Sequence, residues 1–276
     1  MLKTRIITAI VLLAVLLPVL YFNNPIAFAV VVTLFFGAAI WEGFRLFNPG
    51  SKNALVISLF WSAAFAYTFF YAEPRQTMFW FAISALIWVM RLAPSLKLGL
   101  PALDSGGNTL LSLTYAVAIV ACFAAIVVLY RHSPLFLLSV MVLVWIADIG
   151  AYAAGKAFGK RKLAPSISPG KSWEGAIGGA IAVLLLASLS VLLGGDALAD
   201  TFAVRVQARF GWAALAAILV LIAAASVVGD LFESQLKRRA GAKDSSKLLP
   251  GHGGVLDRID ALIPVLPLAA LIDTWL

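Results

Sequence analysis

Apolar blocks of about 20 residues recur along this chain, each long enough to cross a bilayer as a helix. Nine blocks are discernible, and they predict helices over approximately 6–22, 26–41, 54–72, 77–92, 109–130, 134–155, 175–194, 211–230 and 260–276. The breaks carry residues that end helices or open turns: Asn23-Asn24-Pro25, Asn48-Pro49-Gly50, Pro94, Gly106-Gly107, Pro134 and Gly194-Gly195. The fourth and ninth blocks are short, and Pro264 and Pro267 interrupt the ninth, so the expectation is about nine helices. The fold class predicted is an all-α polytopic membrane protein. The first block starts basic and continues apolar, and reads as an uncleaved signal anchor.

Composition agrees with the blocks. The 276 residues are 62% hydrophobic and 12% charged, which excludes an ordinary soluble domain. The single cysteine, Cys122, falls within an apolar block and admits no intrachain disulfide. A net charge of +8 could serve nucleic acid, but its distribution points elsewhere. With the N-terminus inside, seventeen Lys/Arg fall in cytoplasmic segments and four (Arg75, Arg131, Arg205 and Arg209) outside. That is the bias of a membrane protein with a cytoplasmic N-terminus, and no nucleic-acid partner is expected. The outer loop 195–210 carries no chemical constellation. The expected division is into N-terminal helices over 1–133, about five in number, and a second transmembrane region over 134–276, whose cytoplasmic loops 156–174 and 231–259 are the richest in Lys/Arg and the candidates for any catalytic role.

Two polar segments break the apolar pattern. Residues 229–260 hold four aspartates, one glutamate, six Lys/Arg and His252 within 32 positions, beside a membrane where such groups are costly unless they bind something charged. Asp230 and Ser234 are four apart, with Lys237 and Arg238 one turn on. Glu233 faces another way and is placed to pair with Lys237. The glycines of Pro250-Gly251-His252-Gly253-Gly254 permit positive φ and can turn amides towards an anion. Asp257 and Asp260 are three apart at the start of the last helix, where helix capping is their simplest role. The second segment runs from Asp148 through Tyr152 to Gly175, with Gly150 and Gly155 allowing close helix approach and Lys156, Lys160, Arg161, Lys162 and Lys171 interleaved with serines. Anchoring to anionic lipid accounts for those lysines. It does not account for Asp148. Asp230, Asp257 and Asp260 can converge at one surface, and hard oxygen donors among phosphate-binding cations point to Mg²⁺ and phosphoryl or nucleotidyl transfer. His252, with no second histidine near it in sequence, is not read as a metal ligand.

The run Ser234-x-Leu236-Lys237-Arg238, Lys243-Asp244-x-Ser246 and Leu249-Pro250-x-His252-Gly253-Gly254-Val255-x-Asp257-Arg258-Ile259-Asp260 resembles the signature of the phosphatidate cytidylyltransferase family. The stretch from Asp148-x-Gly150-Ala151-Tyr152 to Ile167-Ser168-Pro169-x-Lys171-Ser172-x-Glu174-Gly175 is similar to it too, with Ile149 and Ala261 standing where the family commonly has a hydroxyl residue. The resemblance implies transfer of CMP from CTP to phosphatidate, giving CDP-diacylglycerol and pyrophosphate. It also implies Mg²⁺, a possible second cation, a homodimer, and an inner-membrane location with the site facing the cytoplasm. On this reading Asp230, Asp257 and Asp260 hold the metal, and Asp148 supports them. Lys237, Arg238, Lys243 and Arg258 bind triphosphate or pyrophosphate, while Lys171 and Ser168 serve the nucleotide or the lipid headgroup. Tyr152, Lys160, Ser234, Asp244, His252, Gly253 and Gly254 complete the substrate-binding set.

Three rival readings are weaker. A transporter predicts polar groups at the bilayer midplane, where these blocks have few. A CDP-alcohol phosphotransferase predicts an Asp-Gly-x-x-Ala-Arg run that the chain lacks. A CTP-using lipid kinase would transfer the γ-phosphate, and a labelled substrate distinguishes it.

Overall fold

The computed structural model describes residues 2–71 and 74–276; the side chains of Lys3, Arg5 and Arg75, which enter the orientation count, lie outside those described. The helices are α1 (Leu2–Tyr21), α2 (Pro25–Phe47), α3 (Ala54–Tyr71), α4 (Pro74–Ile87), α5 (Ala93–Leu98), α6 (Gly106–His132), α7 (Pro134–Phe158), α8 (Trp173–Leu193), α9 (Phe202–Arg239), α10 (Leu256–Ile259) and α11 (Leu262–Asp273). Among the described residues, six helical stretches are long and apolar enough to cross a membrane: α2, Met78–Leu98, α6, α7, α8 and α9. The apolar stretches Ile10–Tyr21, Ala54–Thr68 and Leu262–Asp273 are shorter.

Local chemistry sets the helix starts. Asn24 accepts from the amides of Ile26 and Ala27 ahead of Pro25. Ser105, Ser133 and Ser172 cap α6, α7 and α8 in the same way, with Pro134 in the first turn of α7. At four places the structure departs from the predicted elements. Pro94 does not end its helix, because a π turn at Trp88–Leu92 widens the backbone and α5 carries on to Leu98. The segment 195–210, expected to be a loop, is partly helical, since α9 begins at Phe202 and is broken into two helical parts at Gly211, where φ is 79° and a side chain would be strained. The loop 156–174 contains a small antiparallel hairpin, β1 (Lys162–Ala164) with β2 (Ser168–Ser172), in register Lys162↔Ser172 and Ala164↔Ser168. Asp257 and Asp260 do not open the last helix; Asp257 lies in the separate turn α10 and Asp260 follows it.

Packing explains why the apolar blocks differ in length and exposure. The short helix α11 is the central one, with Ile263, Val265, Leu266, Ala269 and Ala270 fully buried. It packs against α4, α6, α7 and α9. By contrast α8 leaves Ile177, Ile181, Leu185, Leu189 and Leu192 exposed, a surface suited to lipid. Its other face meets α7 through glycines. A Cβ at Gly178 would fall 2.2 Å from that of Ala154, and one at Gly150 would fall 2.7 Å from that of Ala182. At the end of the bundle away from the hairpin, His132 sits between Asp200 (3.2 Å) and Asp273 (2.8 Å) and stacks on Phe136, while Ser133 donates to Asp200. The sequence reading assigns nothing to these residues. They clamp the ends of α6, α9 and α11 together.

Candidate functional site

The two polar segments meet. Lys171, at the end of the hairpin, forms an ion pair with Asp230 of α9, and Ser234 one turn later donates to the same carboxylate at 3.2 Å. The hairpin itself is braced by Glu174, which accepts from the Lys160 and Arg161 amides and from Arg161 Nε at 3.1 Å. Lys171 thus reaches α9 from a fixed base. Asp148, exposed on α7, is close enough to Asp230 to repel it and close enough to Lys171 and Arg258 to be attracted by them. Asp260 likewise feels Asp230. Three carboxylates therefore share one region with incomplete compensation.

Asp260 shows the strain of that crowding. Burial, then the Asp230 charge, pushes its carboxyl up to about 7, against a bond from the Ala261 amide and the attraction of Lys237 and Lys171. Asp257 is in the opposite condition. Burial would raise its pKa too, but Lys237 and the Gly254 amide, with Ser245 adding to them, hold it below the usual carboxylate range. Its Oδ1 accepts from Lys237 Nζ at 2.6 Å. Its Oδ2 accepts from the Gly254 amide at 2.7 Å and from the Ser245 amide and hydroxyl at 2.8 Å. Lys237 is itself buried and pairs with Glu233, so a Glu233–Lys237–Asp257 chain runs from α9 into α10. The predicted i, i+4 pairing of Glu233 is present.

The turn before α10 is shaped as its glycines require. Gly251 and Gly253 take φ of 76° and 82°, and Leu249 pairs with Gly253 across the turn at 2.8 Å. Gly254 is needed for space instead, since a Cβ there would lie 2.1 Å from Ser245 Oγ. The Thr8 hydroxyl of α1 donates to the Pro250 carbonyl at 2.7 Å, which puts the start of α1 at this end of the bundle. His252 donates its amide to Leu249, and its Nδ1 has no hydrogen-bond partner among the described residues.

Other predicted residues stand apart from this centre. Tyr152 lies exposed on α7, and Lys160 is exposed with only its amide bonded to Glu174. Arg238, Lys243 and Asp244 are exposed around the rim, Ser168 is half-buried in β2, and Arg258, also exposed, is the one of these near enough to attract Asp148. Among the described residues no three His, Cys, Asp or Glu side chains are gathered so as to hold a metal ion. The donor chemistry still suits one. Asp230 and Asp260 are hard oxygen donors whose mutual repulsion a cation would relieve, and Mg²⁺ takes few protein ligands where substrate phosphates supply the rest. Asp257 has both oxygens occupied by protein donors.

One residue at this site escapes the sequence reading altogether. Glu42 of α2 is fully buried and bonds to the loop preceding α10. A carboxylate within an apolar block is itself a signal, because such a group is costly in a membrane without a partner.

The sequence matches the family model described as "Cytidylyltransferase family" over residues 3–275. It is 39% identical to the phosphatidate cytidylyltransferase of Haemophilus influenzae, with 97% of this chain and 96% of that protein covered. It is 40% identical to the Pseudomonas aeruginosa protein of the same name, covering 98% and 96%. With the Helicobacter pylori protein of that name it shares 33% identity, covering 95% and 88%.

Proposed function

The chain belongs to the cytidylyltransferase family, and from that premise we propose that it transfers CMP from CTP to phosphatidate, releasing pyrophosphate and forming CDP-diacylglycerol. What carries the reading is the junction of its two polar segments through Lys171 and Asp230 at one end of a lipid-facing bundle. A reaction between a water-soluble triphosphate and a membrane phospholipid needs such a place, polar and cationic yet beside acyl chains.

The phosphatidate phosphate, with a second pKa near ~6, is largely dianionic at neutral pH and attacks the α-phosphorus of CTP without a dedicated base. The P–O bond to pyrophosphate breaks as the new anhydride bond forms. The protein's task is to bring two anions together and shield them. Lys171 offers its ammonium to an incoming phosphate beside Asp230, and Arg258, Arg238 and Lys243 add positive charge at the rim for triphosphate and pyrophosphate. Tyr152, Lys160, Ser168, Ser234, Asp244, His252, Gly253 and Gly254 remain proposed substrate contacts, Asp148 balances the cations, and Lys237, buried between Glu233 and Asp257, would reach phosphate only on leaving them. Mg²⁺ would supply Lewis-acid neutralisation of the phosphates when bound. Asp230 and Asp260 would hold it, and Asp257 would join them only where Lys237 leaves its Oδ1.

The finer topology belongs to the same reading: nine spans, an inner-membrane location, and the N-terminus and site on the cytoplasmic side. The loop charge bias supports it, as does the contact of Thr8 with Pro250, which places the start of α1 beside the site. The proposed assembly is a homodimer, which mass measurement in nanodiscs tests. The activity is tested by detergent-solubilised assay of CTP-dependent CDP-diacylglycerol formation, with Asp230→Asn beside the wild type. Product from the wild type and a loss of at least ~100-fold in the variant are expected. An inert wild type contradicts the proposal.

A further inference from the structure

Glu42 sits in α2, far in sequence from both polar segments, and none of the roles proposed above uses it. Its side chain is wholly buried, and among the described residues it pairs with no cation. Four donors converge on it instead. Oε1 accepts from Ser246 Oγ at 2.5 Å and from the Val255 amide at 3.1 Å. Oε2 accepts from the Leu256 amide at 2.6 Å and from Ser245 Oγ at 3.1 Å. The fit is close: a Cβ on Gly254 would lie 2.4 Å from Oε1.

Two of these donors lie at the start of α10, and the two hydroxyls belong to the loop about ten residues before it. Val255 and Leu256 open α10, which carries Asp257 and Arg258, with Asp260 next in line. Ser245 bridges Glu42 and Asp257, because its single hydroxyl proton is shared between Glu42 Oε2 and Asp257 Oδ2, at 3.1 and 2.8 Å, and its amide also meets Asp257 Oδ2 at 2.8 Å. A buried carboxylate with charge-assisted bonds to two backbone amides holds a short turn that has little stability of its own. We infer that Glu42 is a positioning residue for the transfer reaction: from α2 it fixes the orientation of α10, and so where Asp257, Arg258 and Asp260 point. The inference rests on the proposed cytidylyl transfer for its catalytic meaning, but the placement of the loop is separately measurable.

Glu42→Gln is the informative change. It keeps the shape, yet each carboxylate oxygen faces one hydroxyl and one backbone N–H, so either orientation of the amide turns its NH₂ against a backbone donor. Expected is a fall in kcat of about 10–100-fold, the usual cost of losing a group that orients reacting residues, with KM for phosphatidate unchanged. Glu42→Asp, which retains the charge, recovers part of that loss. Amide hydrogen exchange across 253–258 accelerates in Glu42→Gln, a reading that needs no activity. Should Glu42→Gln not fold, Ser246→Ala removes a single donor and gives a smaller fall in kcat in the same direction. Wild-type kcat and exchange in the folded variant overturn the inference, as does a loss of activity that merely follows the amount of folded protein. If the wild type makes no CDP-diacylglycerol while exchange still accelerates, the proposed activity fails and the placement of the loop by Glu42 stands.

Discussion

Lys237 is the residue on which the local electrostatics turn, since one buried ammonium serves both Glu233 and Asp257. Lys237→Met should therefore lower stability by about 3–5 kcal/mol, the cost of leaving buried charge without its partner; thermal unfolding in detergent measures it. Asp260 gives a pH dependence of definite sign. Its folded pKa of about 7 lies above the ordinary 3.8, so between those values the folded site keeps a proton that the unfolded chain has released. Its contribution to stability thus declines as pH rises, and on the proposed reading a divalent cation would have to displace that proton to bind. The Mg²⁺ concentration for half-maximal activity should fall from about pH 6 to about pH 8, and a pH-independent requirement would contradict the assignment of Asp260. These residues were legible in the sequence as a charged cluster, but their division of labour was not. Nothing in the spacing of Asp257 and Asp260 says that one is saturated by Lys237, Ser245 and Gly254 while the other is crowded by Asp230. Glu42 was visible as a carboxylate in an apolar block. Its partners, more than 200 residues away, were not.

At the level of elements, apolar length located the six helical stretches that can cross a bilayer, because such a helix needs little else to declare itself. Elements shaped by a few backbone bonds were harder to see. The hairpin strands are three and five residues long and carry no alternating apolar pattern, so only the fold around Glu174 reveals them. The π turn before Pro94 takes five residues of an otherwise helical pattern, and the break at Gly211 takes one residue at the edge of a predicted helix. The close packing of α7 on α8 was anticipated at Gly150, and it matters for the site because these helices hold Asp148 and the base of Lys171. Gly178→Leu should push them apart, costing about 1–3 kcal/mol by overpacking and reducing activity. Gly106→Ala, where a Cβ meets open space, should leave both unchanged. Paired melting curves and turnover measurements distinguish the two.

For the whole molecule, the site draws on both halves of the chain: α2 supplies Glu42 and α1 touches Pro250, while α7, the hairpin, α9 and α10 supply the charged groups. The proposed orientation predicts that, with Cys122→Ala as background, the thiol of Lys243→Cys reacts with an impermeant maleimide only in inside-out vesicles, and that of Asp196→Cys only in right-side-out ones. The reverse pattern would invert the topology. The central claim is the transfer of the cytidylyl group to lipid at this site, and isotopic labelling tests it most directly. Purified protein given phosphatidate and CTP labelled at the α-phosphorus should place the label in lipid, while γ-labelled CTP should leave all of its label in pyrophosphate. Label passing to lipid from the γ-position, and none from the α-position, would contradict the account.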